Sequence, residues 1–338
     1  MEKLVTFYRS YGYLDKATWH VPLRAWVHEA SSIATVLQWL PAQLGVAQPD
    51  ELAIFERRTR DFVADSESFE RVTVRFDHDP ARRDRHLSRE SGSRFTDRNG
   101  LIDGSLTLPR DEADVLLKAQ GSSRGWLTFT ATSAGHRGTG AIQLIPPTGV
   151  SVVSDIDDTV KVTNIPAGGK EVVLNTFFRP FVAAPDMAAL YGEIDAAFHY
   201  VSAGPFQLYE PIVEFLLSRE AGFPDGTFHP RVFTTNPLSM TTWQALGQLL
   251  LDPDATFKHK VHEISTLMDR FTERTFILIG DSGEKDPEIY RHVWEQFGKQ
   301  VQEIRIRDVT DDRTHNPSRL DGMTIIAAPT VAPPSASS

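Results

Sequence analysis

Hydrophobic and polar positions change rhythm near Pro146-Pro147, and the two rhythms predict different architectures. Before that point the apolar runs are short. Leu23 to His28 reads as a strand, while Ile33 to Leu40 and Glu51 to Val63 read as helices, the second with Leu52, Phe55 and Phe62 spaced among charges. From residue 70 the pattern becomes β-like over Arg71 to Phe76, Leu101 to Leu108, Gly125 to Ala131 and Gly140 to Ile145, with Gly, Ser, Asn and Asp between the runs. Strands at that spacing predict a β-rich, sandwich or barrel-like domain over residues 1–147 with short helices.

Beyond the two prolines, apolar runs alternate with helical spacing, as a parallel α/β sheet with flanking helices requires. A buried strand ends at Ser154, and further strands are expected at Ala197 to Val201, Arg231 to Thr235, Thr275 to Ile279 and Val301 to Ile306. Between them fall helices at Gln207 to Leu217 and Thr242 to Leu251, and two more marked by Val261, Ile264, Met268 and Phe271 and by Ile289, Val293 and Phe297. The α/β domain is expected over 148–326, with a disordered tail rich in Pro, Ala and Ser over 327–338.

Composition narrows the function classes. A chain of 338 residues suits two domains, and its net charge of −10 argues against nucleic acid as a partner. Arg57-Arg58 and Arg82-Arg83 are interrupted by acids and read as solvated faces. The absence of cysteine excludes disulfides, thiolate zinc sites and cysteine nucleophiles. The N-terminus lacks a signal-peptide core and no stretch approaches the ~20 apolar residues of a transmembrane segment, so a soluble, cytoplasmic protein is expected.

The chemistry concentrates where predicted strands end. Asp155-Ile156-Asp157-Asp158-Thr159 follows the apolar run Val152-Val153, and Gly280-Asp281-Ser282-Gly283-Glu284-Lys285-Asp286 follows Phe276 to Ile279. Two acid loops at the carboxyl ends of strands can meet at one site. Carboxylates this close repel unless a cation lies between them, which predicts a hard divalent ion, Mg²⁺, held by oxygen. An EF-hand loop is disfavoured by Thr159 and Val160 at its fifth and sixth positions. A serine-protease reading of Gly280-Asp281-Ser282-Gly283 fails because Glu284 replaces a glycine and the surrounding pattern is α/β.

Asp155-Ile156-Asp157-Asp158-Thr159, Ser202 after His199-Tyr200-Val201, Lys260 before an amphipathic helix, and Gly280-Asp281 with Asp286 resemble, in order, the four motifs of the haloacid dehalogenase superfamily of phosphatases. Longer stretches, Asp155 to Thr163, His199 to Pro205 and Gly280 to Tyr290, resemble the catalytic domain of the actin-patch-associated phosphatidate phosphatase family. The resemblance implies a Rossmann-like, haloacid dehalogenase-like fold for residues 148–326. It also implies hydrolysis of phosphate monoesters through an aspartyl phosphate, with phosphatidate as substrate at a membrane surface and diacylglycerol as product.

Asp155 would be the nucleophile and Asp157 the acid and base, its pKa raised by neighbouring carboxylates and its orientation aided by the Thr159 hydroxyl. Ser202 would hold a phosphoryl oxygen, Lys260 rather than Lys258 would offset the charge, and Asp281 would bind Mg²⁺ with Asp155 and the Asp157 carbonyl. Asp286 would support the metal-bound water or Lys260. Ala203-Gly204-Pro205-Phe206 and Glu284-Lys285 depart from the family pattern in loops that shape the leaving-group pocket.

Phe177, Phe178, Phe181 and Met187, between the first two motifs, are expected to be mostly core, though beside Lys170 and Arg179 they suit a lipid surface if exposed. The competing reading is a non-catalytic phosphate-binding or scaffold module, or a phosphatase for soluble phosphomonoesters.

Overall fold

In the computed structural model, residues 2–29, 39–232 and 242–327 are described. The helix expected at Ile33 to Leu40, the end of the strand expected at Arg231 to Thr235 and nearly all of the tail lie wholly or largely outside them.

Among the described residues the first half forms one connected ten-stranded sheet with mostly antiparallel pairing. Its hub is Thr18–Glu29, which is longer than the Leu23 to His28 pattern and pairs with Lys3–Phe7, Ser10–Asp15, Asp65–Ser66 and Leu101–Pro109. Alternation explains its inner face: Trp19, Val21, Leu23 and Ala25 are buried, every second residue. With Val74, Phe76, Ile102, Leu127 and Phe129 they form that half's own core. The pattern did not reveal Lys3–Phe7, Ser10–Asp15 or the helix Arg110–Ala119, because polar residues dilute their apolar sets.

The second half carries a six-stranded sheet: β1 Gly149–Ser154, β2 Ala197–Pro205, β3 Gly226–Arg231, β4 Arg274–Asp281, β5 Val301–Asp308 and β6 Thr324–Ala327. Every pairing is parallel and the order is β3-β2-β1-β4-β5-β6. The third strand ends at Arg231, where the sequence pattern had begun one; Phe228 and the buried Thr227 and His229 carry it instead. Gln207 to Leu217 divides into a 3₁₀ turn, Phe206–Leu208, and the helix Tyr209–Leu216, which has Pro211 in its first turn. The helix marked by Val261 to Phe271 starts earlier, at Pro253, because Asp252 accepts from the amides of Asp254 and Ala255. Lys260 therefore lies inside this helix rather than before it.

The two halves do not bury their apolar surfaces separately. Tyr8, Trp26, Phe55 and Phe62 share a core with Phe177, Phe178, Phe206 and Tyr209. Phe55 stacks on Phe178 at 4.7 Å and Trp26 meets Phe206 edge-on at 5.3 Å. Such ring pairs add about 0.5–1.5 kcal/mol each beyond the area they bury. Arg58, expected to be solvated, is buried and donates to the carbonyl of Thr176 at 2.7 Å, near the end of the helix Gly169–Phe177. A cation there complements the partial negative charge of the helix terminus. Arg57, Arg82 and Arg83 are exposed, as expected.

A buried polar chain crosses beneath the parallel sheet. Arg274 Nε donates to Ser151 Oγ at 2.9 Å, Ser151 meets His199 Nε2 at 3.3 Å, and His199 Nδ1 meets Thr227 Oγ1 at 2.8 Å. Thr227 then meets His229 Nε2 at 2.9 Å, and His229 Nδ1 reaches Glu263 Oε2 at 3.2 Å. A guanidinium can only donate and a carboxylate only accept, so with neutral imidazole rings the ends fix the direction of every bond between them. Both histidines then carry their proton on Nδ1, and burial lowers the His199 pKa well below its ordinary value, keeping it neutral.

Candidate active site

The acid loops meet because their strands are neighbours in register. Ser154 pairs with Ile279, and the Asp155 amide continues the ladder to the Ile279 carbonyl at 2.9 Å. Asp155 and Asp281 thus leave adjacent strands together at the carboxyl edge of the sheet. Asp286, the first residue of the helix Asp286–Phe297, folds back over Gly280. A Cβ at Gly280 would lie 2.3 Å from Asp286 Oδ2, so this close approach requires glycine.

Asp155, Asp281 and Asp286 each bring a carboxylate oxygen to within 4.8 Å of the others, and all three are buried. Lys260, also buried, stands among them: its Nζ is 2.7 Å from Asp155 Oδ1, 2.5 Å from Asp286 Oδ1 and 2.8 Å from Glu284 Oε2. Lys258 is exposed. Burial, offset by Lys260 and reinforced by Asp286 and Glu284, pushes the Asp155 carboxyl well above its usual range. Burial and then Asp286 and Asp155 do the same to Asp281. For Lys260 the acids outweigh burial and hold its pKa well above the ordinary lysine value.

Among the described residues Asp155 Oδ2 and Asp281 Oδ2 are buried without a partner, each such orphan costing about 1–3 kcal/mol, while Asp155 Oδ1 meets only the Lys260 ammonium. One ammonium faces the four carboxyl groups of Asp155, Asp281, Asp286 and Glu284. An oxygen-only, charge-rich and under-satisfied cluster fits a hard divalent cation.

Asp157 behaves differently from its expected state. Its Oδ1 accepts from Lys161 Nζ and from Thr163 Oγ1, the latter at 2.6 Å. Burial would raise its pKa, but Lys161 and the Thr163 hydroxyl outweigh it and hold the carboxyl below its ordinary value. The neighbouring carboxylates do not decide it. Nor does Thr159 orient it: that hydroxyl is buried without a partner. Ser202 is buried, and its Oγ accepts from the Gly204 amide at 3.0 Å. Among the described residues nothing accepts its proton.

Several residues at this site were given no role from the sequence. Asp158 adopts a left-handed φ of 55° and accepts from the amides of Thr163, Asn164 and Ile165 at 2.8, 2.7 and 2.6 Å. It therefore staples the loop that presents Asp155 and Asp157. Arg307 donates to the Asp158 carbonyl at 2.7 Å, and Arg319 donates to the Ser282 carbonyl at 2.6 Å. Glu284, read as a departure in a loop, lies beside Lys260. Lys161 did leave a signal, as a lone charge between Val160 and Val162 where a run should be buried.

Phe177, Phe178 and Met187 are core, as expected, while Phe181 is half-buried. Phe181 lines a pocket that Asp157, Lys161 and Glu284 share with Val172, Leu208 and Ile212.

The second half is thus an α/β unit with a buried carboxylate and lysine site at the carboxyl edge of a parallel sheet. Residues 150–308 match the family described as phosphatidate phosphatase APP1, catalytic domain. Phosphatidate phosphatase APP1 of Saccharomyces cerevisiae is 27% identical over 180 residues, covering 52% of this chain and 28% of the yeast protein. An uncharacterized protein of Schizosaccharomyces pombe is 26% identical over 176 residues, covering 51% of this chain and 27% of its own length. The chain therefore spans just over a quarter of the length of these curated relatives. A solved carbohydrate esterase structure overlaps 89% of this chain at 12% identity with a TM-score of 0.23, which carries no argument about fold. Among the described residues no helix is long and apolar enough to cross a membrane.

Proposed function

We propose that this chain is a Mg²⁺-dependent phosphatase of the haloacid dehalogenase type that hydrolyses phosphate monoesters through an aspartyl phosphate. The observation that carries the proposal is the convergence of Asp155, Asp281, Asp286 and Lys260 in one buried cluster with orphaned oxygens. Asp155 and Asp281 would hold the cation together with the Asp157 carbonyl, and Asp286 would support its water. When bound, Mg²⁺ supplies charge that draws the phosphate toward a carboxylate and polarises it.

Asp155 attacks phosphorus, and the bond from phosphorus to the leaving alkoxide breaks as Asp157 protonates that oxygen. Asp157 then takes a proton from water, whose oxygen attacks the phosphoryl group and frees Asp155 and phosphate. Its pairing with Lys161 suits this second task. The first requires the ion pair to open and Asp157 to gain a proton before the alkoxide leaves. Lys260 offsets the accumulating charge, and Ser202 gives its proton to a transferring oxygen.

Phosphatidate as substrate, yielding diacylglycerol at a membrane surface, is supported by the family that residues 150–308 match. Apolar Val172, Phe181, Leu208 and Ile212 adjoin Asp157 around a space of only about 30 Å³, so an acyl chain would lie outside that pocket. The chain would then work from the cytoplasm, peripherally. The test is phosphate release from phosphatidate in mixed micelles beside soluble phosphomonoesters, with and without Mg²⁺. Preference for the soluble esters would overturn the lipid assignment, and no turnover with any divalent metal would overturn the enzyme.

A further inference from the structure

A cavity of about 670 Å³ opens between the two halves of the molecule, and it shares no lining residue with the acid site. One wall comes from the first-half strands, including Tyr13, His20 and Arg24; the other comes from Phe228 to Pro230 and the helix Pro253–Arg270. Cavities of this size hold small organic ligands.

Most of its charged lining residues are paired, and Glu90 stands exposed at its edge. Arg9 pairs with Asp225, Arg24 with Asp103, and Arg89 lies 4.0 Å from Asp97. Glu263 is engaged by His229 at 3.2 Å. Arg270 is half-buried and makes no salt bridge among the described residues, although Glu263 attracts it through space. Its Nη1 donates to the Tyr11 hydroxyl, and its guanidinium carbon lies 5.7 Å from the Tyr11 ring centroid and 5.4 Å from that of Tyr13. Tyr13 in turn stacks on His20 at 5.4 Å. The guanidinium is therefore held by aromatic rings with no salt bridge among the described residues, and Glu263, on the same helix, acts on it only through space. A planar fork held in this way is preorganised for an oxyanion, which it engages by paired, charge-assisted hydrogen bonds.

We propose that this cleft is a second ligand site that binds a small organic oxyanion, phosphate or carboxylate in character, with Arg270 as its anchor and Tyr13 and His20 as its flat wall. The proposal does not rest on the phosphatase reading. The ordered chain from Arg274 to Glu263 keeps the floor rigid, so an entering anion meets a formed site.

The test is isothermal titration of the full chain at low ionic strength with citrate and, separately, with inorganic phosphate. Saturable one-site binding of at least one probe is expected, unchanged in the D155N chain and weakened about tenfold or more by R270Q. R270K keeps the charge and the stem packed on the tyrosines, which guards against a folding defect, and is expected to weaken binding about threefold because it lacks the fork. Saturation by phosphate alone would assign the site to phosphate-bearing molecules, and saturation by citrate to carboxylates. Equal affinity in both Arg270 variants, loss of binding in D155N, or no saturable binding of either probe would overturn it.

Discussion

Glu263 beneath the cleft and Asp155 at the end of β1 are both buried carboxylates, yet their surroundings treat them in opposite ways. Glu263 ends a fully ordered chain of donors, and although burial would raise its pKa, His229, His259 and Arg24 bring it down to about 2. Asp155 has an ion-pair partner but no hydrogen bond to either oxygen, and burial pushes it up. The first arrangement minimises the cost of a buried charge and serves structure. The second leaves that cost standing, and such residual cost marks a site poised for a ligand or for chemistry.

The sharpest way to break this contrast is D155N. Loss of phosphatase turnover by about ten-thousandfold, roughly 5 kcal/mol in the barrier, is expected, with a melting temperature unchanged or raised because one of several crowded buried carboxyl groups is neutralised while Lys260 keeps Asp286 and Glu284. A variant that stayed active, or melted well below the parent, would put Asp155 with Glu263 on the structural side. K260M should do the reverse for stability. Removing the lone ammonium among four carboxyl groups leaves like charges uncompensated, and denaturant melts should show a loss of about 3–5 kcal/mol; a loss below ~1 kcal/mol would mean the acids simply take up protons.

Adding Mg²⁺ sharpens the same comparison without a mutation. At a hundredfold excess over its dissociation constant the cation should stabilise the parent by about 2.7 kcal/mol, and neither D155N nor D281N should respond as strongly. An equal thermal shift in all three would place the ion elsewhere.

The smallest expected effect is on the acid limb. The folded-state pKa of Glu263 lies below its ordinary value, so its contribution is full above the usual glutamate range and disappears as pH falls from 4.5 toward about 2. Urea melts across that window should show about 2 kcal/mol of acid-dependent stability, which E263Q should lack. An unaltered acid limb in E263Q would show that other carboxylates govern it.

Much of this was legible in the order of the residues. The run Leu23 to His28 marked part of a strand, and the runs before Asp155 and Gly280 mark buried strands, because burial on one side or both dictates those periods. The resemblance to the family motifs, rather than spacing, implied Lys260 beside the acids, where it stands. The state of Asp157 did not, because it depends on Lys161 and Thr163 closing a turn over it, and a left-handed Asp158 makes that turn possible. Arg58 was misread for a related reason: nothing near it in the chain announces the carbonyl of Thr176 that it reaches.

The sequence by itself determined the two rhythms, the parallel sheet and which carboxylates stand at strand ends, since these follow from local spacing and from where apolar runs stop. Only the tertiary structure decided which acids are paired and which are orphaned, that the two halves share one core, and that Arg270 faces a cleft without a salt-bridge partner among the described residues. Those outcomes depend on residues distant in the chain meeting at a few ångströms, where burial strengthens every charge and an unmatched one stands out.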